Sequence, residues 1–561
     1  MRKFEWKHIE FDKKKAAALQ NELKIHPTLC NLLVQRGVET FEDAKQFFRP
    51  SLAHLHHPFL MLNMDKAVER ILRAIQKNEK ILIYGDYDVD GTTSVALMHT
   101  FLSEMYQNFE FYIPDRHQEG YGISFEGIDY AESINASLVI ALDCGIKAID
   151  KVNYANDKNI DFIICDHHTP GKEIPKAVAI LNPKQKDCLY PYKELSGCGI
   201  GFKLCQALAE KGKLPKEKVE NLLDFVAISI ACDIVPIDGE NRTLAFFGLK
   251  KLNSNPNKGV NNIVELLKLN KAFSVSDVVF KIGPRINAAG RIAHASEAVN
   301  VLIGKADVKQ LQEKNTERQE LDKQTTEEAL ESILNSELDV KKRSTVVYQE
   351  TWHKGVIGIV ASRLIEHHYK PTIVFCESNG KLTGSARSVA GFNVYEAIDE
   401  CRDLLLNFGG HAFAAGLTIA KNDYEKFVEQ FELAVAKRIR PEHLVPKMNI
   451  DAELNLSDIT QNFYNILKQF APFGPQNMRP NFVTKKLRDT GYSRTVGEKH
   501  LKIHAVDSQG NKINGIAFQM ADKEDIVKNG YFDVCYHLEE NKWKDRVSLE
   551  MMVQDIRKSE V

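Results

Sequence analysis

The feature that most constrains the fold is a series of short apolar segments between residues 80 and 182. They read KILIYGDYD, ASLVIALDCG, DFIICDHH and AVAILNP, and amphipathic stretches separate them. Strands that are apolar on both faces and alternate with helices form parallel sheets that helices cover on both sides. The sequence therefore predicts an α/β fold with a parallel sheet in residues 76–305.

The pattern of apolar and charged residues changes on either side of this domain. Residues 1–75 repeat apolar side chains at helical spacing, and residues 306–340 are strongly charged, without Pro or Gly. We predict a helical segment for the former and a long, exposed connecting helix for the latter. Residues 341–440 predict a second α/β domain. Residues 441–561, rich in short strand-like runs, predict a β-barrel of the OB-fold type.

Composition excludes several classes of protein. Of the 561 residues, 43% are hydrophobic and 27% are charged, as in ordinary globular proteins, and the ten cysteines form no CxxC pair that would indicate a zinc ribbon. No apolar run reaches the length of about 20 residues that a membrane helix needs. The charged N-terminus does not resemble a secretion signal, so we expect a cytoplasmic protein without a membrane partner. With a net charge of −2, a nucleic-acid partner would need local basic patches.

Acidic and histidine side chains follow the apolar segments. Ligands of open α/β sheets bind beyond the carboxyl ends of the strands, so we expect these side chains to meet at one rim. A fourth apolar segment, LLDFVAISIACDIVP, brings a further acid. The candidates are Asp86, Asp88, Asp90, Asp143, Asp166, His167, His168 and Asp233.

Carboxylates that crowd together repel each other, and divalent cations remove that conflict. Oxygen ligands with a single imidazole suit Mg²⁺ or Mn²⁺ better than zinc. Two such ions can hold a phosphodiester, activate a water and stabilise the leaving oxygen. The pattern therefore predicts metal-dependent hydrolysis of a phosphoester.

Each piece also has an ordinary structural explanation. Asp86-x-Asp88-x-Asp90-Gly91 resembles the start of an EF-hand loop, but Leu97 stands at the twelfth position and a strand precedes the motif. Asp143 alone is typical of a turn or a helix cap. The Asp-His-His triplet alone would fit a surface loop. The joint placement of these pieces favours a metal site.

Several motifs resemble those of the DHH phosphoesterase superfamily, in the same order. The four defining motifs are matched by GDYDVDGTTS, LDCG, CDHH and ACDIVP with the later NR. PRINAAGRI and PDRHQEGYG resemble the RecJ branch. The DHH-associated domain is suggested by HKGVIGIVASRL, GSARS and GGHAFAAG, and LKQFAPFGPQN resembles the entry to the RecJ OB-fold domain. The resemblance covers nearly the whole chain.

The resemblance implies a ligand set for two ions of Mn²⁺ or Mg²⁺. The metal ligands would be Asp86, Asp88, Asp143, His167 and Asp233, with Asp143 as the bridge. His168 would complete the catalytic residues by supporting the ligands. Asp90 could bind metal or hydrogen-bond its own loop. Tyr84 replaces a histidine ligand of some DHH proteins, which fits the RecJ-like arrangement.

Substrate contacts follow from the same resemblance. Arg285 and Arg291 would grip phosphates, although either could equally pair with a structural carboxylate. Ser385 and Arg387 would receive a terminal 5′ phosphate, and Arg116 would contribute from the other domain. His411 would touch a phosphate or merely pack. Barrel contacts with the strand would come from Lys499, His500, Lys502 and Phe518.

The implied activity is that of a single-stranded-DNA-specific 5′-to-3′ exonuclease that hydrolyses phosphodiesters by a two-metal mechanism in DNA repair and recombination. A helicase and a single-strand-binding protein would be its partners, and we expect a monomer. The alternative is a DHH phosphatase or short-oligonucleotide hydrolase. A non-catalytic DNA-binding scaffold would predict lost carboxylates, and here they are intact. Some RecJ relatives carry a further C-terminal domain; this sequence stops soon after the last barrel strand, so such a domain would be absent or removed.

Overall fold

A computed structural model describes residues 4–335, 342–543 and 546–560. Contacts divide the chain into two compact units, which are described separately. The first unit contains residues 4–5, 113–121 and 283–447, and the second contains residues 6–112, 122–282 and 448–560. Among the described residues, no helix is both long and apolar enough to cross a membrane.

The second unit contains the parallel sheet that the apolar segments predict. Its strands are β2 (Lys80–Gly85), β3 (Phe109–Tyr112), β4 (Ala136–Leu142), β5 (Asp161–Cys165) and β6 (Ala179–Leu181). They are ordered β3-β2-β4-β5-β6, and every pairing is parallel. Central strands are buried on both faces, so their alternate side chains all meet apolar neighbours.

Helices of this unit connect and cover the sheet. They are α4 (Met64–Gln76), α5 (Val89–Leu102), α6 (Phe125–Ser133), α7 (Ile149–Asp157), α8 (Gly197–Lys211), α9 (Lys216–Glu220), α10 (Leu223–Cys232), α11 (Gly239–Leu252), α12 (Lys258–Leu267) and α13 (Val275–Asp277). The next two helices, α14 (Gly283–Ile292) and α15 (Ser296–Leu302), belong to the first unit. The apolar segment LLDFVAISIACDIVP contains helix α10, so Asp233 lies at the end of a helix and not of a strand.

A β-barrel and the N-terminal helices share one hydrophobic core in the same unit. These helices are α1 (Lys13–Leu23), α2 (Pro27–Gln35) and α3 (Phe41–Phe48), and α20 (Gln461–Leu467) and α21 (Glu524–Lys528) accompany the barrel. The segment contains β12 (Lys447–Ile450), β13 (Ala452–Glu453), β14 (Phe482–Asp489), β15 (Arg494–Val496), β16 (His500–Val506), β17 (Lys512–Ala517), β18 (Phe532–Trp543) and β19 (Arg546–Lys558), and β12 pairs with β1 (Glu5–His8). Strands pair in the order β14-β18-β19-β17-β16, and β14 pairs with β16 to close a ring, as in an OB-fold.

One buried arginine joins the parallel-sheet part of this unit to the barrel part. Arg242 of α11 donates to the carbonyl oxygens of Phe470 (2.8 Å) and Phe47 (3.0 Å), and its guanidinium lies 3.8 Å from the centroid of the Phe47 ring. Asn477 donates to the same Phe470 oxygen at 2.8 Å. The stretch LKQFAPFGPQN is therefore held in place by hydrogen bonds from side chains to its backbone carbonyl oxygens.

The first unit contains a mixed sheet. Its strands are β7 (Thr345–Tyr348), β8 (Thr372–Ser378), β9 (Lys381–Arg387), β10 (Leu405–His411) and β11 (Ala414–Ile419), and its helices after residue 305 are α16 (Lys309–Leu334), α17 (Ile357–His368), α18 (Val394–Asp399) and α19 (Tyr424–Arg438). The strands are ordered β10-β11-β9-β8-β7. Only β7 and β8 pair in parallel; the other pairings of this sheet are antiparallel.

The prediction of an exposed connecting helix is wrong in one respect. Helix α16 exists, but one of its faces is buried. That face includes polar residues: Asn315 and Asp322 are buried, and Asp322 pairs with Arg363 of α17 at 2.8 Å. Because a helical pattern of apolar residues cannot reveal a polar buried face, the charged sequence suggested solvent on all sides. The predicted end of this helix, residues 336–340, lies outside the described residues.

Candidate metal centre and anion pocket

The first acidic motif follows strand β2 directly. Asp86 is buried, and its Oδ1 accepts a hydrogen bond from the Gly122 amide at 3.3 Å. Asp88 caps helix α5 by accepting the Gly91 amide at 3.0 Å. A Cβ atom on Gly91 would lie 2.3 Å from the Asp86 carbonyl oxygen, so this turn accepts only glycine. The motif folds back on itself and brings both carboxylates to the end of the sheet.

Asp143 follows the neighbouring strand β4 in a left-handed conformation, with φ of 62°. Its amide donates to the Cys165 carbonyl at 2.8 Å, so the turn is tied to strand β5. Helix α8 begins against it, and a Cβ atom on Gly197 would lie 2.6 Å from the Asp143 Cβ. A non-glycine residue in this conformation is uncommon, and such strain is typical of functional sites.

The Asp-His-His triplet follows strand β5. Asp166 accepts the Ile146 amide on Oδ2 at 2.8 Å and the His168 Nδ1 on Oδ1 at 2.7 Å. Burial alone would lower the pKa of His168, but the hydrogen bond and charge of Asp166 raise it above its usual value. Asp166, which our list of catalytic residues omits, therefore orients His168.

The carboxylates converge on the first histidine of this triplet. His167 Nε2 lies 3.2 Å from Asp143 Oδ1, 3.5 Å from Asp233 Oδ2 and 3.8 Å from Asp90 Oδ2. Among the residues that the structure describes, two groups of three have ligand atoms within 4.8 Å of one another: Asp143, His167 and His168, and Asp90, His167 and Asp233. Segments that are distant in sequence thus meet at one rim of the parallel sheet.

Burial and repulsion from neighbouring charges shift two of these acids, Asp143 and Asp233, toward their protonated forms. Burial, with the charges of Asp90 and Asp88, raises the pKa of Asp233 to about 9. The same causes, with the charge of Asp233, raise the pKa of Asp143 well above its usual value. Burial lowers the pKa of His167, although Asp90 opposes the effect. Protons and cations compete for the same carboxylates. A bound divalent ion would therefore relieve the repulsion among these carboxylates in place of protons.

Asp90 has a structural function that the sequence did not settle. Its Oδ2 accepts the Gly197 amide at 2.7 Å, and its Oδ1 accepts the Cys198 amide at 2.8 Å and the Ser229 hydroxyl at 2.7 Å. These partners belong to α8 and α10 and not to the loop of Asp90 itself. Asp90 therefore anchors the first turn of α8 against the site.

The residues present fit a divalent cation. His167 Nε2 is buried and has no hydrogen-bond partner within the described parts of the chain, although three carboxylate oxygens surround it. An unsatisfied buried nitrogen is rare unless an ion or water completes it. Tyr84, by contrast, donates to the Gly122 carbonyl at 3.0 Å and packs in the sheet's core, so its phenol serves the fold.

A candidate anion pocket lies in the first unit, at the start of helix α17. Arg387 Nη1 donates to Ser385 Oγ at 3.0 Å. A Cβ atom on Gly358 would lie 2.8 Å from Arg387 Nη2 and 3.0 Å from Ser385 Oγ, so the helix start approaches both side chains closely. Helix N-termini and guanidinium groups both favour anions. The motif HKGVIGIVASRL thus supplies the glycine that this close packing requires.

The other arginines predicted as substrate contacts lie in the same unit. Burial lowers the pKa of Arg387, and repulsion from Arg116 adds to the effect. By its contacts, Arg116 lies in the same compact unit as Arg387. Arg291 Nη1 donates to the Gly355 carbonyl at 3.0 Å, and Arg285 Nε donates to Gln312 at 2.9 Å. Each of these two arginines is thus held by a polar atom of a neighbouring segment.

The other predicted contacts lie on exposed surfaces. His411 is exposed at the end of edge strand β10. On the barrel, His500 and Phe518 have ring centroids 5.1 Å apart, and Lys502 stands opposite Arg494 on neighbouring strands. Lys499 is exposed in the turn before His500. Aromatic and basic side chains side by side are typical of single-strand-binding surfaces.

Comparisons with known proteins cover the same segments. The DHH family, N-terminal domain matches residues 80–230, the DHHA1 domain matches residues 341–437, and the RecJ OB domain matches residues 450–555. The single-stranded-DNA-specific exonuclease RecJ of Bacillus subtilis (strain 168) is 35% identical, with 100% of this chain and 71% of that protein covered. The protein of the same name from Salmonella typhimurium (strain LT2) is 32% identical over 94% of this chain and 96% of that protein.

A solved structure shows the same architecture. The crystal structure of RecJ in complex with Mn²⁺ from Thermus thermophilus aligns with a TM-score of 0.84 and 25% identity, covering 100% of this chain and 80% of that chain. Together with the assembled acidic rim, these matches confirm the resemblance of the sequence motifs. The chain belongs to the RecJ family of the DHH phosphoesterase superfamily.

Proposed function

We propose that this protein hydrolyses the phosphodiester bonds of single-stranded DNA, nucleotide by nucleotide from the 5′ end, with divalent ions. The observation that carries the proposal is the buried His167 Nε2 facing carboxylates from three segments of the chain. The substrate follows from the relatives, which are named single-stranded-DNA-specific exonucleases.

We propose Asp86, Asp88, Asp143, His167 and Asp233 as the ligands of two ions of Mn²⁺ or Mg²⁺. Ions bound there would supply positive charge at the scissile phosphate and lower the pKa of a water. Asp90 holds α8 in place beside Asp143. His168 is half-exposed and oriented by Asp166, whose hydrogen bond and charge raise its pKa, so it is placed to donate a hydrogen bond to a phosphate oxygen when protonated.

The direction of cleavage would come from the anion pocket. Arg387 and Ser385 beside the start of α17 suit a phosphate that carries two negative charges at a chain end. A pocket that holds a terminal phosphate leaves no place for upstream nucleotides. Exposed residues of the barrel, including Lys502 and Phe518, would bind the following strand.

The cellular setting belongs to the proposal as well. The family resemblance suggests DNA repair and recombination in the cytoplasm, beside a helicase and a single-strand-binding protein, with the enzyme as a monomer.

The test is cleavage of three 5′-labelled substrates with Mn²⁺: a single strand, a duplex and a dinucleotide. We expect labelled mononucleotide from the single strand, and loss of this activity in Asp143→Ala, which removes a metal ligand. Binding of the strand, measured by fluorescence anisotropy, should change little. Asp187→Ala, an exposed acid in the same unit, is the matched control and should stay active.

Two results would contradict the proposal. Release of label from the dinucleotide alone would identify a short-oligonucleotide hydrolase. Full activity of Asp143→Ala would place the chemistry elsewhere.

A further inference from the structure

Helix α10 ends in an unusual way. Asp233 caps it, and the next residue, Ile234, has a φ of 60°. The left-handed conformation after a helix is usually adopted by glycine or asparagine, because a Cβ atom is unfavourable there. A β-branched side chain adds further strain. The fold therefore loses stability by having isoleucine at this position.

Burial does not compensate for this strain. The Ile234 side chain is 65% exposed, whereas its neighbours Val235 and Ile237 are buried. An exposed apolar side chain gains little from the hydrophobic effect. Within the described parts of the free protein, nothing explains the choice of isoleucine over glycine here.

The location of Ile234 suggests what it contacts. Its neighbour Asp233 places Oδ2 3.5 Å from His167 Nε2, so Ile234 stands at the rim of the acidic site. A branched side chain with few rotamers forms a rigid apolar surface at that rim. Among the parts of a nucleotide, the base is the one that offers a matching flat, apolar face.

We propose that Ile234 packs against a base of the DNA strand next to the scissile phosphate and thereby positions that phosphate. This inference rests on the proposed exonuclease function. It assigns to Ile234 a contact with the substrate, and the backbone strain is retained because this contact requires a rigid apolar side chain.

The first test separates stability from activity. Ile234→Gly and Ile234→Asn both suit the left-handed conformation, so the midpoint of thermal unfolding should stay the same or rise by about 1–3 °C. The value of kcat/KM on single-stranded DNA should nevertheless fall about fivefold to tenfold, because the apolar contact is lost. Ile234→Val, which keeps a branched apolar side chain, should retain most of the activity.

A matched control comes from another strained helix end in the same unit. Lys268 follows helix α12 with a φ of 45° and is exposed. Lys268→Gly should raise the unfolding midpoint by a similar amount and leave kcat/KM unchanged. This control shows whether relief of strain by itself alters activity.

The second test locates the contact. Single strands with one abasic site at the first, second or third position from the 5′ end are cleaved by the wild type and by Ile234→Gly. At the position that Ile234 contacts, the abasic site should lower the wild-type rate and remove the difference between the two proteins. A constant ratio at all three positions would overturn the inference.

Other outcomes are equally decisive. A drop in the unfolding midpoint of Ile234→Gly would show that the side chain stabilises the fold, and unchanged kcat/KM in Ile234→Asn would show that it does not touch the substrate. If the wild type does not cleave single strands at all, the proposed function fails instead. In that case, anisotropy with intact and abasic strands still reports whether Ile234 contacts a base.

Discussion

At Gly197, the absence of a side chain decides where Asp143 can lie. The helix start and the strand end approach so closely that a Cβ atom would overlap the Asp143 side chain at 2.6 Å. The neighbouring Gly199 is different, because a Cβ atom there would have its closest contact at 3.4 Å, with Ser196 Oγ. Two glycines of one helical turn therefore differ in what they contribute to the site.

Gly197→Ala should lower the rate of DNA cleavage about a hundredfold, because it displaces a proposed metal ligand from its position. Gly199→Ala should retain most of the activity. Steady-state cleavage and the Mn²⁺ concentration for half-maximal rate measure both effects. Similar rates for the two variants would argue against a role of Asp143 as a ligand.

A second prediction concerns the anion pocket. Arg387→Ala should weaken binding of 5′-phosphorylated strands about tenfold to a hundredfold, since a charged hydrogen-bond donor is lost. Binding of 5′-hydroxyl strands should change little. Arg402→Ala, which removes an exposed arginine paired with Asp399 in the same unit, is the control. Equal losses on both kinds of end would refute a pocket for the terminal phosphate.

The sequence predicted the residues of the rim better than the residues that support them. Asp86, Asp143 and His167 stand out because each lies just beyond the end of an apolar strand. Ser229 donates a hydrogen bond to Asp90, and Gly197 leaves the space that the Asp143 side chain occupies. Both lie in helices whose sequences resemble those of ordinary buried helices. The glycine-rich run SGCGIG at the start of α8 was the one sequence signal that this helix approaches Asp143 closely. The roles of the rim residues as ligands stay predictions.

At the scale of elements, helix α16 shows how a polar face can be buried. Asp322 is fully buried and receives Arg363 at 2.8 Å and Arg318 at 3.5 Å. Buried charges require such partners, so the helix is fixed to α17 by ionic contacts as well as by apolar ones. Ala329 and Ile333 of the same helix join the apolar core of this region.

Asp322→Ala should lower the free energy of unfolding of this unit by about 3 kcal/mol, because two arginines lose their buried partner. Glu327→Ala, on the exposed face of the same helix, should change it by less than about 0.5 kcal/mol. Urea unfolding followed by tryptophan fluorescence reports the difference, since Trp352 packs against this helix. Equal effects would mean that the exposed face of the helix contributes as much as the buried one.

Strand patterns predicted the parallel sheet and the barrel well. Segments apolar on both faces became the parallel sheet, and short strand-like runs became the barrel. Helix α10 was harder, because an apolar run of ten residues fits a buried helix or a buried strand equally well. The grouping of residues 113–121 with residues 283–447 had no signal in the local sequence, since it depends on contacts between distant segments.

At the scale of the whole molecule, the acidic rim couples stability to pH. The pKa of Asp233 is raised to about 9, and that of Asp143 is also raised. Between about pH 4 and pH 9, these two carboxyl groups therefore bind more protons in the folded protein than in the unfolded chain, and their contribution to stability falls as the pH rises. A cation replaces those protons, so its stabilising effect grows with pH.

We therefore expect the midpoint of thermal unfolding in EDTA to fall between about pH 6 and pH 8.5, and Mg²⁺ to restore more of it at the higher pH than at the lower one. Asp233→Asn, which removes one titrating group, should show a weaker pH dependence. Differential scanning fluorimetry measures all three responses. A midpoint in EDTA that rises with pH over this range would contradict the raised pKa values.

The hydrogen bonds that Asp90 accepts from two amides and a hydroxyl have a consequence for how the enzyme handles chelators. The scaffold of the rim is assembled from the chain's own groups, so we expect it to persist when ions leave. Ions can then exchange with the solvent between encounters with DNA, without local unfolding. Inactivation by EDTA should accordingly be reversed within mixing time when Mn²⁺ is returned.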